Sequence, residues 1–224
     1  MRVVIVAVAL ALSAACTDPL FEGPREPLAR GKELYNSCMP CHGKDGLGVT
    51  VAAAPEIAGL PEWYIEAQVM KFRAGKRGYH FDDLAGLRMR PMSLSMPTEA
   101  DVKDVALFIS TLPRSAHAVT IQGGNVEHGK QLFNTCQACH GADAAGNQVL
   151  NAPMLAGADD WYLLAQLNKF KLKVRGDAAI DPVGGTMQAM SAVLPDEQAE
   201  KDVVAYIKTL PTPTPKPAAP APKG

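Results

Sequence analysis

The clearest helical pattern in the chain lies at residues 98–112. Its apolar positions recur at intervals of three and four residues, which places them on one face of a helix. These positions are Val102, Val105, Ile109 and Leu112. Thr98 and Asp101 have the spacing of a capping box, in which each side chain bonds the other residue's backbone N–H. Pro113 then ends the predicted helix.

Two further helices are predicted ahead of this one, at residues 27–37 and 62–74. Residues 42–61 and 75–97 are rich in glycine, proline and alanine, and we predict that they are irregular connections. Because no segment alternates apolar and polar residues with the period of a strand, the pattern predicts an all-α fold.

The chain contains the same unit twice. Positions 31–113 align without a gap on positions 129–211, with 37 identities over 83 positions. Such a repeat indicates a tandem duplication. It predicts two domains, unit 1 at residues 24–113 and unit 2 at residues 128–210, joined by a linker at residues 114–127.

The helices predicted for each unit are too few and too short to form a hydrophobic core by themselves. The first two helices of unit 2 are expected at residues 125–135 and 160–172, and its last helix follows Asp196. Three short helices bury little apolar surface by themselves, and structureless loops of roughly 20 residues are unusual in a compact domain. A group other than the polypeptide is therefore expected to fill the middle of each unit.

Residues 38–42 and 136–140 both read C-x-x-C-H, the attachment signature of c-type haem. Two cysteines three positions apart share one helix face, so both can form thioethers to one porphyrin, and the histidine then reaches the iron. The candidate attachment residues are Cys38, Cys41, Cys136 and Cys139, and the candidate iron ligands are His42 and His140. A dithiol redox motif would need a βαβ context, and a zinc site would need C-x-x-C pairs about 15–20 residues apart.

The second axial ligand decides what such an iron does. Outside the two motifs no histidine recurs at the repeat spacing, whereas two methionine pairs do, Met89 with Met187 and Met92 with Met190. A methionine can equally serve as core packing. The residues alone leave the choice between the pairs open.

Composition and charge narrow the possible functions. Hydrophobic residues make up 47% of the chain, and 22 Lys+Arg against 23 Asp+Glu give a net charge of −1. This near-neutral balance disfavours a protein that binds nucleic acid by neutralising phosphates. We also expect no small-molecule substrate.

The two ends of the chain do not read as parts of the fold. Residues 1–15 have the charged start and short apolar run of a secretory signal peptide, which predicts a periplasmic protein. The small residues before Cys16 resemble a lipobox, which favours a lipid anchor on Cys16 at a membrane surface. An ordinary signal peptide would leave Cys16 as a free thiol. Residues 211–224 alternate proline with small residues, so we predict a disordered tail.

The span 26–210 resembles the two-haem bacterial cytochromes of the c-four type. The resemblance rests on C-x-x-C-H-G, Pro-x-(Ile/Leu)-Ala-Gly, the Trp-Tyr pair and the methionine-rich segment before the last helix. It implies two tandem class I cytochrome c domains, each with three main helices and long loops around a covalent haem. It also favours Met89 and Met187 as iron ligands and places Pro55 and Pro153 on the histidine side of each haem.

The resemblance further implies that glycines let the first helix of each unit cross the last. These are Gly31 and Gly129, which lie near Tyr35 and Phe133 on the first helices and Phe108 and Tyr206 on the last.

Other duplicated residues have two interpretations each. Arg77 and Arg175 are either contacts to haem propionates, which we favour because buried carboxylates need compensation, or surface charges. The duplicated Trp-Tyr pairs form either haem-pocket walls, which we favour, or ordinary helix packing. They are Trp63, Tyr64, Trp161 and Tyr162.

Histidine with methionine gives a six-coordinate iron suited to electron transfer rather than catalysis. We therefore expect an electron carrier whose donor is a quinol-oxidising complex or a dehydrogenase and whose acceptor is a terminal oxidase or reductase. Two alternatives remain: a cytochrome subunit fixed in a larger dehydrogenase or oxidase complex, and a two-haem peroxidase with an open iron position.

Overall fold

The computed structural model describes residues 26–115 and 118–213. The helices of unit 1 are α1 Pro27–Tyr35, α2 Met39–His42, α3 Glu62–Arg73, α4 Leu84–Ser93 and α5 Glu99–Thr111. The helices of unit 2 are α6 Val126–His140, α7 Asp160–Lys171, α8 Pro182–Ser191 and α9 Glu197–Ile207. Within the described residues, extended pairing is limited to two isolated bridges, so the all-α prediction is confirmed.

The predicted last helix forms as its caps require. Thr98 accepts a hydrogen bond from the backbone N–H of Asp101, and the Asp101 carboxylate accepts one from the backbone N–H of Thr98. The apolar face of α5 is buried and packs against α1 and α3. In unit 2, the Asp196 side chain caps α9 in the same position.

Glycine allows the first and last helices of each unit to touch. A Cβ on Gly31 would overlap the carbonyl oxygen of Asp104, and a Cβ on Gly129 would overlap the carbonyl oxygen of Asp202. The helix backbones therefore meet directly at these points. An aromatic pair lies beside each crossing, as the resemblance implies. The pairs are Tyr35 with Phe108 and Phe133 with Tyr206, each with ring centroids 5.3 Å apart.

Each unit has a helix that the sequence analysis assigned to an irregular connection. α4 and α8 carry the candidate ligand methionines and add to the three main helices predicted for each unit. Glycine and proline hid the helical pattern, because both residues have low intrinsic helix propensity. The N-caps, Asp83 and Asp181, accept hydrogen bonds from Gly86 and Gly184. An aspartate followed by proline at the start of α8 was a signal for this helix.

The two units differ at the C-x-x-C-H motif. In unit 2 the first helix continues through the motif to His140, whereas in unit 1 α1 stops at Tyr35 and α2 starts at Met39. Pro40 explains the break, because it has no N–H to donate to a preceding carbonyl. The matched position in unit 2 is Ala138, which can donate.

The units pack against each other through a symmetric pair of ion pairs. The Lys71 ammonium lies 2.8 Å from the Asp181 carboxylate, and the Lys169 ammonium lies 2.6 Å from the Asp83 carboxylate. Both lysines and both aspartates are 98 positions apart. The interface is therefore isologous, as in a twofold dimer, although one chain supplies both halves.

Residues between the units are also held in place. The Arg114 guanidinium lies 3.3 Å from the buried Glu56 carboxylate of unit 1 and donates to the carbonyl of Ala156 in unit 2. Farther along, the Thr120 hydroxyl donates to the Asp160 carboxylate at 2.7 Å. The segment predicted as a linker thus forms part of the contact between the units.

Several sequence predictions fall outside the described residues. They concern the signal peptide at residues 1–15, Cys16, and the tail from residue 214 onward. Across residues 26–115 and 118–213, none of the helices has the length and apolar character needed to cross a bilayer.

Gly129→Ala tests the helix crossing. Relief of the overlap with Asp202 requires α6 and α9 to separate, so we expect a loss of about 1–3 kcal/mol in the free energy of unfolding. Denaturant titration of the haem-loaded protein measures it. Lys130→Ala, at the next and exposed position of α6, should change that free energy by less than about 0.5 kcal/mol. Equal stability of the two variants would contradict the close crossing.

Asp83→Asn tests the ion pair between the units. Burial works to raise the pKa of Asp83, but its bonds with Lys169 and the Gly86 N–H, and the Arg77 charge, hold that pKa below its ordinary value. A carboxylate with a lowered pKa contributes stability that is present above about pH 3.9 and is lost as the pH falls through its lower, folded-state pKa.

At pH 7 we expect Asp83→Asn to lower the free energy of unfolding by about 3 kcal/mol, because it leaves Lys169 without its partner. The difference from the unmodified chain should shrink as the pH falls below the folded-state pKa. The neighbouring Asp82→Asn is the control, since Asp82 is exposed. A difference that stays constant with pH would contradict the assignment.

Candidate functional site

The core of unit 1 surrounds a cavity of about 520 Å³. This volume lies within the range of about 300–1,000 Å³ that is common for cofactor sites. Its walls are mostly apolar. The C-x-x-C-H motif and residues of α4 both form part of them. The motif and methionine residues that line it are Cys38, Cys41, His42, Met89, Met92 and Met96. The residues predicted to hold a haem thus line one cavity.

His42 is held in one tautomer. Its Nδ1 atom lies 2.9 Å from the carbonyl oxygen of Pro55, which can only accept a hydrogen bond. Nδ1 therefore carries the proton, and Nε2 keeps the lone pair that a metal ligand requires. Burial lowers the pKa of His42, which favours this neutral form. The C-terminal end of α2 at Gly43, with φ +80°, fixes the backbone next to the imidazole.

The same arrangement recurs in unit 2. The His140 Nδ1 atom lies 2.8 Å from the Pro153 carbonyl oxygen, and burial lowers the pKa of His140. The carbonyl of each motif histidine accepts a backbone N–H from a glycine six residues later. These glycines are Gly48 and Gly146. Pro55 and Pro153 thus orient the two imidazoles through their backbone oxygens.

The four motif cysteines form no disulfide among the described residues, and they differ in exposure. Cys41 is exposed, and Cys38, Cys136 and Cys139 are partly buried. Burial raises the pKa of the Cys38 thiol to about 11, and Cys41 contributes in the same direction. Burial also raises the pKa of Cys136. Both Cys38 and Cys41 line the cavity, which suits covalent attachment of a ligand that fills it.

The two methionine candidates of unit 1 both line the cavity, but they differ in exposure. Met89 is half-buried, whereas Met92 is 40% exposed. In unit 2 both Met187 and Met190 are half-buried. Met96, which is buried at the cavity wall, has Leu194 as its counterpart and so belongs to the core of its unit.

Arg77 and Arg175 form a buried pair at the contact between the units. Arg77 donates to Gln68 at 2.9 Å and across the interface to Tyr162 at 3.0 Å. Arg175 donates to Gln166 at 2.6 Å and across the interface to Gln68 at 2.9 Å. Each guanidinium also lies over a phenylalanine ring of its own unit, at 4.5 and 4.6 Å from the ring centroid. The surface-charge interpretation of these arginines is therefore wrong.

The charges around this arginine pair do not balance. The cluster contains two arginines and two lysines but two carboxylates, which are Arg77, Arg175, Lys71, Lys169, Asp83 and Asp181. Burial and the charge of Arg77 lower the pKa of Arg175. The buried Nε atoms of both arginines have no hydrogen-bond partner among the described residues. A cofactor with acidic substituents fits this part of the cavity wall.

The predicted wall residues divide between the units in a way that the sequence did not reveal. Tyr64 of unit 1 lines the cavity of its own unit, and so do Trp161 and Tyr162 of unit 2. Trp63 does not line this cavity and lies edge-on to Tyr64, with ring centroids 5.7 Å apart. One unit therefore completes the cavity wall of the other.

Comparison with known proteins agrees with this architecture. The family described as Cytochrome c matches twice, at residues 28–113 and 126–211. A curated protein of Thiomonas intermedia, named thiosulfate dehydrogenase electron acceptor, is 30% identical over 199 residues, which cover 84% of this chain and 86% of that protein.

Two solved structures are similar to the chain. Reduced recombinant cytochrome c4 from Pseudomonas stutzeri has a TM-score of 0.64 and 25% identity, and the match covers 82% of this chain and 98% of that one. A thiosulfate dehydrogenase from Marichromatium purpuratum has a TM-score of 0.67 and 28% identity, with 83% of this chain and 40% of that one covered. The chain belongs to the cytochrome c family and is an electron carrier of two tandem domains with two covalently bound haem c groups.

Proposed function

We propose that the protein carries single electrons between redox proteins of the periplasm and catalyses no reaction by itself. The observation that supports this most directly is a motif histidine, fixed by a proline carbonyl, at an apolar cavity that a methionine-bearing helix also lines. The chemistry supplied by bound haem c is reversible one-electron exchange at the iron. An apolar shell with few solvent contacts favours a high reduction potential and a small reorganisation on electron exchange.

In each unit the axial residues proposed are one histidine and one methionine. They are His42 with Met89 in unit 1 and His140 with Met187 in unit 2, and the thioethers form at Cys38, Cys41, Cys136 and Cys139. The Nδ1 bond to proline leaves Nε2 of each histidine available. Half-burial of Met89 beside an exposed Met92 supports the first pair in unit 1. In unit 2 the choice follows from the repeat register.

Arg77 and Arg175 are proposed to bind the haem propionates. The cation excess of their cluster and their unpartnered Nε atoms support an anion at this place. Pro55, Tyr64, Trp161 and Tyr162 would form walls of the first pocket. By the repeat, Trp63 and Pro153 would serve the second.

The partners proposed are a dehydrogenase or a quinol-oxidising complex as donor and a terminal oxidase or reductase as acceptor. The similarity to a thiosulfate dehydrogenase electron acceptor favours a dehydrogenase as donor. We also propose export by a signal peptide at residues 1–15 and a lipid on Cys16, which would hold the protein at a membrane surface.

A second candidate is a cytochrome subunit fixed in a larger dehydrogenase. The match to the thiosulfate dehydrogenase of Marichromatium purpuratum supports it, because this chain spans 40% of the length of that chain. Purification of the protein from its native host distinguishes the two. A free carrier elutes alone, whereas a subunit elutes in a stable assembly.

The direct test of the main proposal combines a haem count with a redox titration. We expect an alkaline pyridine spectrum to give two c-type haems per chain, and the titration to give two one-electron steps. The reduced protein should not bind carbon monoxide without denaturant, since both axial positions are filled. Carbon monoxide binding would instead favour the two-haem peroxidase.

Met89→Ala and Met187→Ala test the axial ligands. Each should abolish the weak near-infrared band of methionine-ligated iron for one haem and lower that haem's reduction potential, because the thioether favours ferrous iron. Met92→Ala and Met190→Ala are the matched controls and should retain both bands. If Met92→Ala removes a band and Met89→Ala does not, the choice of methionine in unit 1 is wrong.

Arg77→Gln tests the propionate assignment. Loss of a buried positive charge beside the first pocket should lower one haem's reduction potential by tens of millivolts, because a nearby cation destabilises the ferric state. Lys44→Gln removes a charge from an exposed position of the same unit and should leave the potentials nearly unchanged. Equal potentials in Arg77→Gln and the unmodified protein would contradict the assignment.

A further inference from the structure

The outward face of α4 carries large apolar side chains and arginines. Leu84, Leu87, Arg88 and Pro91 recur at intervals of three and four residues, are all exposed, and line one shallow surface depression. Leu84 is 69% exposed. Arg90 is also exposed, and its guanidinium lies beside Gly75. We call these five residues the α4 face.

The α4 face is the outer side of the wall that encloses the first cavity. Arg88 and Pro91 line the cavity as well as the surface depression. Arg88 also donates to the Ala52 carbonyl at 3.0 Å, which joins α4 to the turn at Thr50–Ala52 across the cavity rim. Val51 of that turn is 96% exposed and extends the apolar surface. A protein bound here lies one helix from the cofactor.

The matched helix of unit 2, α8, has the same length as α4 but different residues at the positions of the α4 face. The positions of α8 that match Leu84, Leu87, Arg88, Arg90 and Pro91 are Pro182, Gly185, Thr186, Gln188 and Ala189. At these five positions the large apolar side chains and both arginines occur only in unit 1, although unit 2 exposes Val183 on α8 and Val149, the counterpart of Val51. Two units with equal folds therefore present different surfaces beside their cavities.

The end of α3 and the following turn add to this difference in charge. Arg73 donates to the carbonyl of Ser93 at the end of α4, and Lys76 is exposed in the turn after α3. Their counterparts are Lys171 and Val174. Lys171 lies 3.0 Å from the buried Glu200 carboxylate, which neutralises it. Glu200 has Val102 as its counterpart, so Arg73 has no such neutralising carboxylate at that position. Four cations in unit 1 thus correspond to two in unit 2, the neutralised Lys171 and the exposed Lys173, which matches Gly75.

We infer that the α4 face is the docking site for a redox protein whose contact patch has an apolar centre and an acidic rim, and that unit 2 offers no equivalent site. The inference rests on the proposed electron-carrier function and assigns its acidic partner to unit 1. Apolar contact in the centre and cations at the rim suit a small, transient interface. The cations attract the acidic partner and raise the association rate in a salt-dependent way.

The test uses the full-length protein with both haems, reduced before mixing. Its oxidation is followed by stopped flow with two oxidants, ferricyanide and an oxidised blue-copper protein that has an acidic surface patch. Each oxidant takes up one electron per haem oxidised. Rates are measured at low and at high ionic strength, since the Debye length is about 30 Å at 0.01 M salt and 3 Å at 1 M.

The charge variant Arg88→Thr with Arg90→Gln gives unit 1 the residues of unit 2. At low ionic strength we expect it to slow both oxidants by about tenfold, with rates that converge on those of the unmodified protein at high salt. Its matched control is Lys32→Gln with Lys103→Gln, which removes two cations at exposed positions of α1 and α5. The control should keep nearly the unmodified rates.

The apolar variant Leu84→Ser with Leu87→Ser tests the centre of the face. It should slow oxidation by the blue-copper protein several-fold and leave oxidation by ferricyanide unchanged, because the small ion needs no apolar contact. Both side chains are exposed, so the fold should persist. The near-infrared methionine bands and the haem count verify that each variant is intact.

The possible outcomes separate this inference from the proposed function. Unchanged rates in the charge variant, or an equal loss in the Lys32 and Lys103 control, would overturn the docking site while electron transfer itself continues. A full complement of haem with no electron exchange by the unmodified protein would overturn the carrier function. Slowing by the charge variant alone, with no effect of the apolar variant, would overturn the apolar centre of the site.

Discussion

The fold depends on a polypeptide core that is incomplete without a cofactor. In unit 1, residues of α2, α3, α4 and α5 line a cavity, and the C-x-x-C-H motif lies at its wall. The glycine crossings bring the backbones of α1 and α5, and those of α6 and α9, into direct contact. These contacts hold the first and last helices of each unit together, and the haem completes the interior.

The contact between the units has the form of a twofold dimer built within one chain. Lys71 pairs with Asp181 and Lys169 pairs with Asp83, so each lysine binds an aspartate of the other unit. Tyr162 accepts a hydrogen bond from Arg77, and Gln68 accepts one from Arg175, again across the interface. The same set of polar residues occurs in both units, and each set pairs with its copy in the other unit. Duplication of one unit is therefore enough to supply both halves of the polar interface. The excess of buried cations in it also ties the contact to the cofactors, since acidic groups of haem would supply the missing charge.

Duplication has preserved the interior of the two units more than their surfaces. The cap, the crossing glycine, the motif and the proline carbonyl recur in both, because each fixes backbone or imidazole geometry. The outer faces of α4 and α8 are not under that constraint. They differ in side-chain size at all five positions of the α4 face and in charge at two of them, Arg88 and Arg90. A carrier with two equivalent interiors and two different exteriors is suited to two different partners.

The sequence alone determined the all-α class, the duplication, the cap at Thr98 and the two haem motifs, because each is a local pattern of spacing that the backbone imposes. It missed α4 and α8, whose glycine and proline content hides a helix that caps at Asp83 and Asp181 stabilise. The sequence could not show that Trp161 and Tyr162 line the cavity of the other unit, or that Arg77 and Arg175 are buried together. Those contacts join residues about 85 to 107 positions apart, and only the packing of the two units brings them together.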